Sequence, residues 1–166
     1  YDFMAQGMSG FMSLTGEPDD QPGGGPMRAG VPVIDIFTGM YATIAITSAL
    51  ANRAQTGKGQ YIDVALFDCA LALLANQGMT YLATGVSPGR IGNAHPSIVP
   101  YQVFRTADGA VIVACGNDNL FNKFAALAGK PELSTDPRFS KNAERVKNRA
   151  VLVPMLAEIM AKRTTA

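Results

Sequence analysis

One stretch constrains this sequence more than any other. From Ile36 to Asn52 no charged residue occurs, alanine recurs, and Thr, Ser, Gly39 and Asn52 alone interrupt the aliphatic and aromatic side chains. A helix of that composition must be covered on most of its sides, so the fold has to place other elements around it. Thr56-Gly57-Lys58-Gly59 ends it, with glycine past the last helical residue. Val31-Pro32-Val33-Ile34 reads as a short extended approach, which leaves Asp35 at the position of a helix N-cap.

The surrounding pattern is layered. Bulky apolar residues at Phe3, Met4, Met8, Phe11 and Met12 predict a helix over residues 1–16, and the Pro- and Gly-rich residues 17–30 predict a loop. Gln60 to Ala65 alternates as a strand does, and Leu66 to Thr84 reads as a second long buried helix closed by Gly85. Buried helix, strand and buried helix together give an α/β class. Composition then changes at residues 86–100, the glycine and proline content being that of a linker or binding loop. Beyond it, 101–105 and 110–115 flank Thr106-Ala107-Asp108-Gly109, a β-hairpin signature. Helices follow at about 119–128 and 140–162, the latter expected to break near Pro154. The organisation is thus 1–85, a connecting segment 86–100, and 101–166.

Totals narrow the chemistry. Fourteen basic against thirteen acidic residues give no electrostatic footprint for nucleic acid or an anionic membrane. Apolar runs interrupted by Gly, Thr, Asn or Asp predict no membrane span. Cys69 and Cys115 stand far apart in apolar surroundings, as buried thiols of a reducing, cytoplasmic setting do. The single histidine, His95, and two distant cysteines offer no metal-ligand cluster. A start at Tyr1 and a stop just after a helical pattern read as cut ends.

Asp35 itself has two readings that the residues leave open. It is a structural cap, or it is a chemical carboxylate kept anionic by the helix dipole and by free amides beside it. His95 is likewise either a loop residue bonded to nearby backbone or a substrate contact. Gly23-Gly24-Gly25 lies in no strand-to-helix turn and reads as surface loop, the basic residues Arg138, Lys141, Arg145, Lys147 and Arg149 as a solvated face, and Met8, Met12 and Met79 as core fillers.

Gly30-Val31-Pro32-Val33-Ile34-Asp35-Ile36-Phe37-Thr38-Gly39-Met40-Tyr41, followed by Thr56-Gly57-Lys58-Gly59-Gln60-Tyr61-Ile62-Asp63-Val64, resembles the family III coenzyme A transferases. The likeness continues through Tyr1-Asp2, Gly92-Asn93-Ala94-His95-Pro96 and Ser97-Ile98-Val99-Pro100-Tyr101-Gln102. It implies part of a large α/β domain joined to the start of an α+β small domain, in an interlocked homodimer whose members are far longer than this chain. It also implies that Asp35 is the nucleophile. The carboxylate would form an anhydride with the acyl group and then an aspartyl-CoA thioester, with CoA and acyl-CoA as substrates and no permanently bound cofactor.

By the same resemblance Tyr1, Met40 and Leu66 line the CoA and thioester site, and Gly39 allows close approach. The amides of about Phe37 to Gly39 are candidates to stabilise oxyanions, and Gly92 to Pro96, with Asn93 and His95, is a lid. The related α-methylacyl-CoA racemases carry a histidine base where Tyr1 stands, and tyrosine is a poor base at neutral pH, which favours transfer. The missing glycine run argues against oxalate as acceptor, and Asn93-Ala94-His95-Pro96 with Ser97-Ile98-Val99-Pro100-Tyr101-Gln102 resembles the members that move CoA between succinyl-CoA and other dicarboxylic acids, such as hydroxymethylglutarate or citramalate. Two alternatives remain: a racemase-like enzyme, and an inactive folding or dimerisation piece.

Overall fold

A computed structural model describes the whole chain, Tyr1 to Ala166, which divides into two compact units, Tyr1–Gly92 and Asn93–Ala166. In the first unit, the expected opening helix is two: α1, Asp2–Met8, and α2, Phe11–Leu14. Gly10 separates them in the left-handed region, φ 87°, where a side chain would be strained.

The charge-free segment forms α3, Val33–Thr56, capped at its end by left-handed Gly57, whose N–H donates to the Arg53 carbonyl. Its hydroxyls are spent internally: Thr38 donates to the Ile34 carbonyl, Thr43 to Gly39, Thr47 to Thr43 and Thr56 to Asn52. The threonines therefore do not break its apolar character, and α3 is long and apolar enough, by length and composition alone, to cross a bilayer (mean hydropathy 1.6). That corrects the expectation of runs too short to span.

The expected burial of α3 is corrected as well. Cover is confined to a stripe through Ile34, Thr38, Ala42, Ala45, Ala49 and Asn52, with Val33 and Phe37 beside its start, and of these Ile34 alone is fully buried. Ile36, Met40, Ile44, Ile46 and Leu50 are exposed. The stripe follows the i, i+3, i+4 spacing of one helix face and packs against α4, Leu66–Leu73, and α1. Ala5, Ile34 and Ala70 form the buried centre of that contact, with Val33, Leu66 and Leu73 around them.

The second long helix is also two, α4 and α5, Ala75–Thr84, separated where Ala75 takes φ 47°. Gln60–Ala65 shows the alternating burial of a strand but forms none, because no second strand in this unit offers a ladder. The chain's one sheet lies in the second unit.

There, β1, Tyr101–Arg105, and β2, Ala110–Ala114, pair antiparallel with Tyr101 opposite Ala114 and Arg105 opposite Ala110, as the Asp-Gly turn dictates. Phe104 and Val113 point inward onto a core of Val99, Cys115, Phe121, Ala125, Leu133, Phe139, Leu152 and Leu156. The helices are α6, Asp118–Leu127, α7, Asn142–Lys147, and α8, Arg149–Met160, with a 3₁₀ turn at Pro131–Ser134. Asn117 caps α6 through its side chain, accepting from the Leu120 amide at 2.9 Å. The last helical segment breaks at Asn148, not at Pro154, which lies inside α8. The Asn148 side-chain amide donates to the Glu144 carbonyl of α7 and to the Arg138 carbonyl ahead of it.

Candidate active site

Asp35 is not a cap. α3 begins two residues earlier, at Val33, and the Asp35 carboxylate stands exposed in the first turn, in neither a hydrogen bond nor an ion pair. The cap comes from Asp2. Its Oδ1 accepts from the Ile34 amide at 2.8 Å and from the Asp35 amide at 3.4 Å, while Oδ2 accepts from Gln6 Nε2 at 2.6 Å. Gln6 Oε1 in turn accepts from the Ala29 amide at 2.9 Å. Asp2 and Gln6 are buried, 8% and 0% exposed, so this network is sheltered from water.

The four N–H groups that open a helix have no partner inside it. In α3 all four are satisfied: Val33 by the Val31 carbonyl, Ile34 and Asp35 by Asp2, and Ile36 by the Pro32 carbonyl. Phe37, Thr38 and Gly39 follow inside the regular ladder, each N–H turned toward a carbonyl four residues back. Those amides are therefore not free to hold an oxyanion, which corrects the expectation drawn for them. The anion that the start of α3 attracts is already present, and it is Asp2.

Around Asp35, Gly39 lies one turn further on the same face, exposed and with open space where a Cβ would stand. Met40 is exposed but about 140° around the helix from Asp35. Tyr1 is wholly exposed and directly precedes the capping Asp2. Leu66 is half-buried beside Ile34, under the helix start. The first unit thus gathers Asp35, Gly39, Tyr1 and Leu66 about the head of α3 and leaves Met40 on another face. A cleft of about 320 Å³ runs between Tyr41 and Ala45 of α3 and Ala65, Asp68 and Cys69, without Asp35 among its lining residues. No three His, Cys, Asp or Glu side chains converge as metal ligands would.

Asn93 and His95 belong to the second unit, Asn93 exposed and His95 half-buried. His95 Nδ1 accepts from the Ser97 amide at 3.0 Å, which places the proton of the neutral ring on Nε2, and the ring leans on Tyr101. The segment after it is tightly held. Arg149 donates to the His95 and Pro96 carbonyls at 2.6 and 2.9 Å, Asn142 to the Ser97 carbonyl at 2.8 Å, and Arg145 to the Val99 carbonyl at 2.6 Å.

Within the first unit, the Gly92 amide donates to the Gly16 carbonyl, and Arg90 binds the Glu17 carbonyl and the Asp19 carboxylate. Gly92 is left-handed, φ 60°, and an added Cβ would meet Glu17 Oε2 at 2.5 Å. Arg90 and Gly92 are therefore tied within the first unit, and residues 95–97 and 99 within the second.

The basic run is not one solvated face. Arg145 is fully buried, bonded also to the Phe139 carbonyl and Asp118, and sits 4.3 Å from the Phe121 ring centroid. Burial lowers the pKa of the half-buried Arg149 guanidinium. Burial works to raise the Asp118 carboxyl, but the hydrogen bond and charge of Arg145, the Asn142 amide and Lys141 outweigh it and hold Asp118 below the usual carboxylate value. Sequence reasoning missed Asp2 and Gln6, although their i, i+4 spacing as the polar pair of an otherwise apolar helix was the available signal.

The Asp35 carboxylate is thus unpaired and held through its backbone by a second, buried carboxylate. The family model described as CoA-transferase family III matches residues 1–166. The chain is 52% identical over 146 residues to a succinate–glutarate CoA-transferase of Agrobacterium fabrum, covering 88% of this chain and 36% of that protein. It is 42% identical over 167 residues to an acetyl-CoA:oxalate CoA-transferase of Acetobacter aceti, covering 100% and 42%. The crystal structure of a CAIB/BAIF family protein from Brucella suis matches with a TM-score of 0.75 at 55% identity, covering 99% of this chain and 42% of that one. The chain belongs to CoA-transferase family III. It spans 36 to 42% of the length of these relatives.

Proposed function

We propose that the whole protein carrying these residues transfers coenzyme A from an acyl-CoA, succinyl-CoA being the donor, to a dicarboxylic acid of the glutarate type, with Asp35 as nucleophile. The observation that carries this is the division of labour at the head of α3. Asp2 does the capping, so the Asp35 carboxylate is free, exposed and unpaired. The acceptor rests on the activity for which the Agrobacterium fabrum relative, at 52% identity, is named.

The steps balance without an added reagent. An Asp35 oxygen attacks the thioester carbonyl, the C–S bond breaks and CoA leaves as thiolate, giving a mixed anhydride. The thiolate attacks the Asp35 carbonyl and releases the donor acid, leaving an aspartyl-CoA thioester. The acceptor carboxylate attacks that thioester, the C–S bond breaks and CoA leaves as thiolate, giving a second mixed anhydride. The thiolate then attacks the acceptor's acyl carbon, the C–O bond to Asp35 breaks, and the new acyl-CoA and the free Asp35 carboxylate result. Tyr1, Gly39 and Leu66 border the CoA and thioester site, and Met40 reaches it from the adjoining helix face. Because the α3 amides are occupied, oxyanion stabilisation comes from outside the helix start. The exposed apolar face of α3 is covered by further chain or by a second subunit of a homodimer rather than by lipid.

The test uses the full-length enzyme. Incubation with succinyl-CoA without acceptor, then hydroxylamine, is expected to leave a hydroxamate on the peptide containing Asp35, read by mass spectrometry. A hydroxamate on another carboxylate, or full turnover by Asp35→Asn, refutes the assignment.

A further inference from the structure

We infer that Asp2 and Gln6 form a positioning relay that sets the orientation of Asp35 for attack, so that they control the rate of the covalent step without touching substrate. This rests on the reading of Asp35 as nucleophile.

The case comes from hydrogen-bond accounting. A helix start is normally capped from within the preceding few residues. Here the acceptor comes from 32 residues away in sequence, on another helix. One oxygen of Asp2 holds the amides of Ile34 and Asp35, the other holds Gln6, and Gln6 holds the Ala29 amide. The relay therefore grips the approach to α3 at Ala29 and the helix itself at Ile34 and Asp35. The Asp35 side chain makes no bond of its own, so its direction is fixed only by its Cα and by the backbone on either side. Loosening that backbone by about an ångström at a reacting group costs on the order of 100-fold in rate.

Donor and acceptor roles in the relay are unambiguous, which makes it testable by exchange. Ala29, Ile34 and Asp35 all present N–H groups, so the pair between them must present acceptors at both ends and one donor in the middle. Asp2→Asn keeps an oxygen for the α3 amides but turns its new amide nitrogen toward Gln6 Nε2, setting two donors against each other. Flipping the Gln6 amide only moves the conflict to Ala29. Gln6→Glu sets two carboxylates against each other at the 2.6 Å contact. The double variant Asp2→Asn/Gln6→Glu restores every bond, with the donor now at position 2 and the total charge unchanged.

In the full-length enzyme, kcat with succinyl-CoA and glutarate is expected to fall about 10- to 100-fold in each single variant, with KM within about threefold, and to return to near wild type in the double. Hydroxamate formation on Asp35 should follow kcat in all four proteins. Unchanged kcat per folded enzyme in Asp2→Asn overturns the inference. So does a double variant that stays as slow as the singles, because the carboxylate of Asp2 would then be needed for something other than these bonds. If a single variant fails to fold, the double decides: an active double supports the relay, and an inactive or unfolded one refutes it. A wild-type hydroxamate on another residue would instead sink the nucleophile reading. Wild-type labelling at Asp35 with equal labelling in Asp2→Asn sinks the relay alone.

Discussion

Asp35→Ala and Asp2→Ala each remove one carboxylate from the same helix start, yet their stability costs should differ severalfold. Asp35 caps nothing and pairs with nothing, so its removal loses only the attraction of a first-turn carboxylate to the helix dipole, about 0.3–1 kcal/mol. The better helix propensity of alanine offsets most of that, leaving a net change within about 0.5 kcal/mol. Removing Asp2 loses a cap worth about 0.5–2 kcal/mol, and it strands the Gln6 amide in a fully buried position at about 1–3 kcal/mol. The sum is about 1.5–5 kcal/mol, a large part of ordinary domain stability. Urea unfolding of the full-length variants measures the contrast as a midpoint on the order of 1 M lower for Asp2→Ala, with Asp35→Ala superimposed on wild type. A reversed order, or equal losses, refutes the assignment of the cap to Asp2.

Arg145→Met should destabilise the second unit by about 2–6 kcal/mol, because the buried carbonyls of Val99 and Phe139 lose their donor; a loss below 1 kcal/mol in thermal unfolding would contradict it. Asp118 supplies one part of the pH dependence. Its folded pKa is depressed, so its contribution is present above the unfolded value of about 3.9 and is lost as pH falls through the lower folded value. Wild type should therefore exceed Asp118→Asn in stability at neutral pH, with the gap closing below about pH 4; a gap that widens in acid would refute the pairing.

What the sequence made legible was local. The hairpin needed only alternation and an Asp-Gly turn, both contained in residues 101–114, and it formed as expected. The position and glycine stop of α3 were equally readable, since its composition and Gly57 lie within it. Its start was not, because the acceptor that lets it begin at Val33 is Asp2, brought by tertiary packing. The same holds for Arg145. Among neighbouring basic residues nothing local marks the one that enters the core, whereas the carbonyls it serves lie at positions 99 and 139. Pro154 misled for a related reason: the helix breaks at Asn148, whose side chain is held by the Arg138 carbonyl ten residues back, before the proline is reached. At Gln60–Ala65 the alternation was real and the partner strand absent, and a strand is a property of a pair. Membership in CoA-transferase family III was legible from the Asp35 and Thr56–Gln60 segments, and the family model confirms it over the whole chain.

The uncovered face of α3 yields the last prediction. Ile44 is 60% exposed here, on a helix that carries no charge from Ile36 to Asn52. A surface that met water would tolerate Lys or Glu at such positions, and charged side chains are the usual occupants of an exposed helix face. Their absence along almost five turns is what a covered helix requires. In the full-length protein, Ile44→Asp then both forfeits the burial of an isoleucine, about 1.5–3 kcal/mol, and places a carboxylate in apolar surroundings, for a total above about 3 kcal/mol. If the face stays open to solvent, the same substitution falls within about 0.5 kcal/mol of wild type, as exposed substitutions do. Unfolding and size-exclusion profiles of the two proteins separate the outcomes. A fall in stability together with a shift to a smaller assembly assigns the cover to a second subunit, a fall with the assembly size unchanged assigns it to the subunit's own further chain, and no fall at all refutes the covered helix.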